Sequence, residues 1–144
     1  MVEIDKERKE RYLEKLEKLD ERTGNIESWL KGVDEKDFLE DDKTRLSVYK
    51  AFQEAVEAVT DICAMFVSDS GRNMGDDYQN ISKVSGELFS ESIERSLKDA
   101  NGLRNRLVHE YNMLEESTSY EAINRIVADL ETFHEEVSQW IRNS

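Results

Sequence analysis

Residues 94–112 read ERSLKDANGLRNRLVHEYN and hold the side chains best suited to chemistry, Arg104 and His109, spaced as Arg-x4-His. Histidine titrates near neutrality and can take or give a proton. Arginine keeps its charge, and its planar fork matches the paired oxygens of a phosphate, so it can stabilise charge developing there. Together they suit cleavage of RNA by attack of a 2′-hydroxyl on the adjacent phosphate, which needs no metal. The spacing alone is also met where a helix carries an ordinary salt bridge and a surface histidine. Tyr111 equally suits a core or interface aromatic. The second histidine, His134, lies in the acidic run ETFHEE and reads as a surface residue.

Helical geometry refines this picture. At 100° per residue, Leu97, Ala100, Leu107, Val108 and Tyr111 fall within about 60° of Arg104. Arg104 therefore sits in an apolar stripe, where a guanidinium is costly unless it is paired or faces a polar cavity or interface. His109 lies about 140° round, on a strip with Lys98, Asn101, Asn105 and Asn112. From Arg95 to His109 there are four basic residues and one acid, a local +3 in a chain of net charge −13.

The elements that must position these groups read as helices. Tyr12, Leu13, Leu16, Leu19, Ile26, Trp29 and Leu30 recur at threes and fours from about Asp5 to Leu30, with a gap at Thr23 and Gly24. Residues 33–42 read as an acidic connector with Phe38 and Leu39 tucked against the core. A second helix, from Asp42 or Thr44 to about Val67, carries Leu46, Tyr49, Phe52, Val56, Val59, Ile62, Cys63, Phe66 and Val67; as the most apolar helix it belongs at the centre of the fold. Cys63 reads as a core filler. A loop with Gly71 and Gly75 precedes a short helix from Asp77 to Ser85, and a long helix runs from Ser90 to Tyr111. Thr118 with Glu121 reads as a capping box opening a last helix marked by Tyr120, Ile123, Ile126, Val127, Leu130, Phe133, Val137, Trp140 and Ile141. The expectation is an all-α, up-and-down bundle of four long helices plus one short one, forming one domain over residues 1–144.

Composition bounds the function. With 144 residues, 38% of them hydrophobic, the chain can bury a substantial core. Thirty-three acidic against twenty basic residues argue against a DNA- or membrane-coating protein. One cysteine excludes an intramolecular disulfide and a Cys-rich zinc site, and the carboxylates are scattered along helix faces. No segment approaches 18 unbroken apolar residues and the N-terminus has no apolar signal region, so the expected location is the cytoplasm.

The segment GLRNRLVHEY, Gly102 to Tyr111, resembles the signature of the HepT-like ribonuclease toxins of the HEPN superfamily: Arg-x4-His-x-Tyr, usually with asparagine directly after the arginine. Here those positions are Arg104, Asn105, His109 and Tyr111. The stretch VYKAFQEAVEAVTDICAMFV and the tail SYEAINRIVADLETFHEEV are also similar to this family, so the resemblance spans essentially the whole chain. It implies a homodimer whose motifs line a shared cleft and cut RNA without a metal or other cofactor. Arg104 would stabilise the phosphate transition state, His109 would transfer the proton, and Asn105 would orient the histidine or bind the phosphate. Lys98, Arg106 and Asn101 would contact the RNA. Family members are commonly encoded beside an MNT-type nucleotidyltransferase antitoxin. In the best-understood system that partner silences the nuclease by transferring AMP to the motif tyrosine, so the resemblance implies such a modification at Tyr111, placing charge and bulk beside the cleft. The net charge opposes association with bulk RNA and points either to a narrow substrate choice, such as an exposed loop or tRNA end, or to a low activity. The chain also has no proline, where many relatives carry one before the short helix. A second reading keeps the cleft but not the chemistry: a non-catalytic, nucleotide- or partner-binding accessory subunit of a nucleotidyltransferase. A third makes the chain a helical interaction protein with a vestigial motif.

Overall fold

Aspartates open the first four helices. Asp5 caps α1 (Lys6–Leu30), Asp34 caps α2 (Glu35–Glu40), Asp41 caps α3 (Asp42–Asp69) and Asp76 caps α4 (Asp77–Val84). Each carboxylate accepts the backbone N–H three residues on, which satisfies an orphan donor and places negative charge at the positive end of the helix dipole. At α4 the Gln79 side chain also reaches back to the Asp76 N–H, completing a capping box. A 3-10 turn at Glu91–Ile93 leads into α5 (Glu94–His109), and α6 is Glu116–Arg142. This computed structural model describes residues 2–109 and 116–144, and of His109 the backbone only.

The bundle is all-α and up-and-down, with α1, α3, α5 and α6 long and α4 short. Two local expectations are corrected. The connector over 33–42 contains α2, a helix between the two aspartate caps that is too short to show a periodic stripe. Thr118 and Glu121 lie inside α6, which already begins at Glu116, so they are not its N-terminal cap.

α3 touches every other α-helix and is the centre of the core. Tyr49, Phe52, Val56, Val59, Ile62, Cys63, Phe66 and Val67 are all buried along it. Burial pushes the Cys63 thiol pKa well above its ordinary value, as suits an inert filler. The stripes are narrower than their sequences suggest. Leu13, Trp29, Leu39 and Leu46 are exposed, Leu39 against the expectation that it tucks into the core beside the buried Phe38, because they sit at the edges of faces whose centres meet a neighbour. The gap at Thr23 is closed by Thr23 itself, buried with its hydroxyl donating to the Leu19 carbonyl at 3.0 Å.

Two fastenings fix the ends of the motif region. Around Gly86, in the left-handed region at φ +83°, the chain turns back so that Gly86 N–H meets the Phe89 carbonyl at 2.8 Å. Ser90 then donates from its N–H and its hydroxyl to Glu136 on α6, at 2.8 and 2.6 Å, setting where α5 begins. At the other end, the nearly buried Arg45 of α3 donates to the Leu39 carbonyl at 2.8 Å and to Asp42 at 2.6 Å. Its Nε lies 2.9 Å from Glu116, the first residue of α6. Ser117 bonds Glu35, and Tyr120 donates to the Val33 carbonyl at 2.7 Å. Among the described residues no helix is long and apolar enough to cross a membrane.

Candidate functional site

α5 is amphipathic, with Leu97, Ala100, Leu103 and Leu107 buried against α3, α4 and α6. Arg104 stands on the side of this helix that meets α4, its side chain 15% exposed. Its Nη2 donates to Asp77 Oδ2 at 2.9 Å and to Asn101 Oδ1 at 2.8 Å. A helix cap and a turn of helix thus converge on one guanidinium: Asp76 starts α4 so that Asp77 faces α5, and Asn101 lies three residues before Arg104 on α5. Val108, a turn beyond Arg104, is 47% exposed.

Arg104 Nε and Asn101 Nδ2 are both buried and have no hydrogen-bond partner among the described residues. Leaving a buried donor unpaired costs about 1–3 kcal/mol, and more for a charged group. Two such donors, one on the anchored guanidinium itself and one on the amide beside it, suit an anionic acceptor.

The structure divides the sequence-derived residues between two faces. Asn101, grouped on the wheel with a basic strip, is only 1% exposed and works with Arg104. Asn105 is half-buried. Lys98 and Arg106 lie on the opposite face, lining a groove of about 530 Å³ between α5 and α6 with Arg95, Asp99, Arg125 and Tyr78. Lys98 bonds Glu94 at 2.9 Å, one turn back. At Gly102 the helix passes under two side-chain tips: a Cβ there would lie 3.3 Å from the Tyr78 hydroxyl and 3.7 Å from Arg106 Nη1. His109 is the last residue of α5, one turn beyond Arg106; its side chain, and Tyr111 and Asn112 entirely, lie outside the described residues. His134, expected at the surface, is half-buried. Among the described residues no three His, Cys, Asp or Glu side chains group as metal ligands would.

Sequence reasoning missed Asp77 and Arg125. Asp77 is 27 residues from Arg104, and its one signal was a position in the first turn of a predicted helix. Arg125 is an exposed residue on another helix, indistinguishable in sequence from a solvated charge.

The pattern of the family Ribonuclease HepT-like matches residues 12–137. A protein of Archaeoglobus fulgidus named "Putative RNase" is 38% identical over 120 residues, 83% of this chain and 85% of its own. A second from that organism, with the same name, is 32% identical over 134 residues, 90% and 92% of the two chains. Among solved structures, the tri-AMPylated HEPN toxin of Shewanella oneidensis in complex with MNT antitoxin superposes with a TM-score of 0.80 at 20% identity, over 89% of this chain and 96% of that one. A tyrosine-to-alanine mutant of the toxin–antitoxin MntA–HpeT gives 0.78 at 19% identity, over 89% and 98%. At that identity the structural likeness establishes the fold, while the family pattern and the archaeal relatives establish descent: the chain belongs to the HepT-like ribonuclease family.

Proposed function

We propose that this protein is a metal-independent endoribonuclease toxin of a toxin–antitoxin pair, with Arg104 and His109 as its catalytic residues. The observation that carries the reading is the Arg104 guanidinium, anchored at Nη2 by Asp77 and Asn101 while its buried Nε has no partner among the described residues. A guanidinium so held does not have to be ordered when charge builds on a phosphate, which is the condition for electrostatic stabilisation of a transition state.

In the reaction, the 2′-oxygen attacks phosphorus and the bond from phosphorus to the 5′-oxygen breaks. The 2′-hydroxyl loses a proton and the departing 5′-oxygen gains one. Arg104 holds the phosphate, and His109 moves one of these protons. Asn105 orients the histidine or the phosphate, with Lys98 and Arg106 on the flanking RNA. Asn101, buried beside Arg104 and with no partner for its Nδ2–H among the described residues, contributes a second donor for the same anion. In a homodimer the exposed Val108 beside Arg104 lies at the subunit contact, and the second motif brings another histidine to the shared cleft. The partner is an MNT-type nucleotidyltransferase that transfers AMP to Tyr111. The Shewanella complex, in which a tri-AMPylated HEPN toxin is held with MNT antitoxin, supports that pairing.

The test is cleavage of total RNA and tRNA at low salt in EDTA, by wild type and His109→Ala, with Tyr111 confirmed unmodified by intact mass. Cleavage by wild type alone is the expected result. If neither cuts, the accessory-subunit reading replaces this one. Incubation with the cognate nucleotidyltransferase and ATP should add AMP mass to the wild type and not to Tyr111→Phe.

A further inference from the structure

Nearly all of this protein's arginines are answered by a carboxylate. Among the described residues Arg8, Arg11, Arg22, Arg45, Arg72, Arg95, Arg104 and Arg142 each make an ion pair. The two that make none with a described residue are Arg106 and Arg125, and both line the groove between α5 and α6. In a chain with 33 acidic residues, two guanidinium groups without a carboxylate among the described residues, facing one groove from different helices, mark a place that suits an anion from outside. Among the described residues the one acid lining the groove, Asp99, is drawn to Arg95 at 3.6 Å.

The same groove carries an aromatic ring. Tyr78 is 40% exposed, and its hydroxyl reaches over Gly102. It is the residue after Asp77, which holds Arg104, so α4 touches both faces of α5. Arginines on two sides and an exposed ring suit a phosphodiester backbone with a base stacked on the tyrosine. A recess of about 530 Å³ takes a nucleotide rather than a duplex.

We propose that the α5–α6 groove binds a single-stranded segment of the RNA substrate, with Arg106 and Arg125 on successive phosphates and a base stacked on Tyr78. Because His109 ends α5 one turn past Arg106, the strand runs along α5 toward the catalytic end. The inference rests on the nuclease reading above and adds Arg125 and Tyr78 as residues that set the substrate class.

The experiment uses the full chain with His109→Ala, so that RNA is bound and not cut. Anisotropy of a labelled short oligouridylate is followed against salt, with melting curves for every variant as the check on folding. Adding Arg125→Ala or Arg106→Ala should weaken binding and lower the slope of log affinity against log salt by roughly 0.7 each. Tyr78→Ala should weaken binding on the order of tenfold while Tyr78→Phe retains it, because stacking needs the ring. A duplex should compete poorly. The groove assignment is overturned if oligouridylate binds and the Arg125 and Tyr78 variants bind it equally well, or if duplex or AMP competes as well as the single strand. It also falls if these variants lose only the nucleotidyltransferase. If the parent binds no RNA at all, the nuclease reading fails with it.

Discussion

Arg104 and Arg106 are two positions apart on one helix and in different circumstances. Arg104 faces α4, is mostly buried, and is bonded by a carboxylate and an amide. Arg106 faces the groove on the other side, is exposed, and pairs with no described carboxylate. The first has a carboxylate and an amide that balance its charge and fix its direction. The second, exposed, has no described carboxylate to do either. A fixed donor serves a transition state, whose geometry is narrow, and a free one serves a flexible strand, which needs attraction more than direction.

The largest effect follows from the fixed arginine. Arg104→Ala should lower kcat for RNA cleavage by roughly 10²–10³, the range for loss of one preorganised donor. Arg104→Lys should recover little, because one ammonium cannot span Asp77 and a phosphate as the fork does. Equal cleavage by Arg104→Lys and wild type would show that fixed direction is irrelevant. Next is the group that does the fixing. Asp77→Asn keeps an acceptor for Nη2 and removes the charge, so kcat should drop on the order of tenfold with KM nearly unchanged. A change confined to KM would make Asp77 part of RNA binding instead.

The groove side should behave in the opposite way. Arg125→Ala should raise KM several-fold with kcat retained, and the loss should be greatest at low salt, where counterion release rewards each phosphate contact most. Steady-state kinetics at two ionic strengths measure this. A loss independent of salt would mean that Arg125 is not on a phosphate.

The two faces were unequally legible in the sequence. Arg104 was visible because a helical wheel puts it in an apolar stripe, a contradiction that calls for a partner. The wheel could not say that the partner is Asp77, because a helix's period carries no information about what another helix brings to it. Arg125 was invisible for a related reason: an exposed arginine among acids looks solvated until its neighbours are known. The centre of the fold was read correctly in α3, whose apolar side is met on several sides by other helices. The misses came at borders. Leu13, Trp29 and Leu46 belong to stripes by spacing, but spacing does not set how wide a face is covered. Thr118 matched a capping box by its residue types, a pattern that also occurs inside helices, while aspartate capping at Asp34 marked a helix that was read as connector.

The smallest effect tests whether pairing an arginine leaves a mark on stability. Arg22 Nε donates to Glu54 Oε1 at 2.5 Å, and that hydrogen bond, with the attraction of the guanidinium, holds the Glu54 carboxyl below its ordinary value of 4.5. A depressed folded value means the unfolded chain takes up the proton first. The pair's stabilisation is therefore complete above pH 4.5 and fades as pH falls from there through the lower folded value. Glu54→Gln should thus cost about 1 kcal/mol or less at pH 7, the range for a pair near the surface. The difference should close in acid, read from urea midpoints at the two pH values. Arg106→Ala and Arg125→Ala, without a described carboxylate to protonate, should give the same small stability change at both. If the Glu54 difference persists undiminished in acid, the fastening there is packing rather than charge, and the division between fastened and free arginines loses its electrostatic basis.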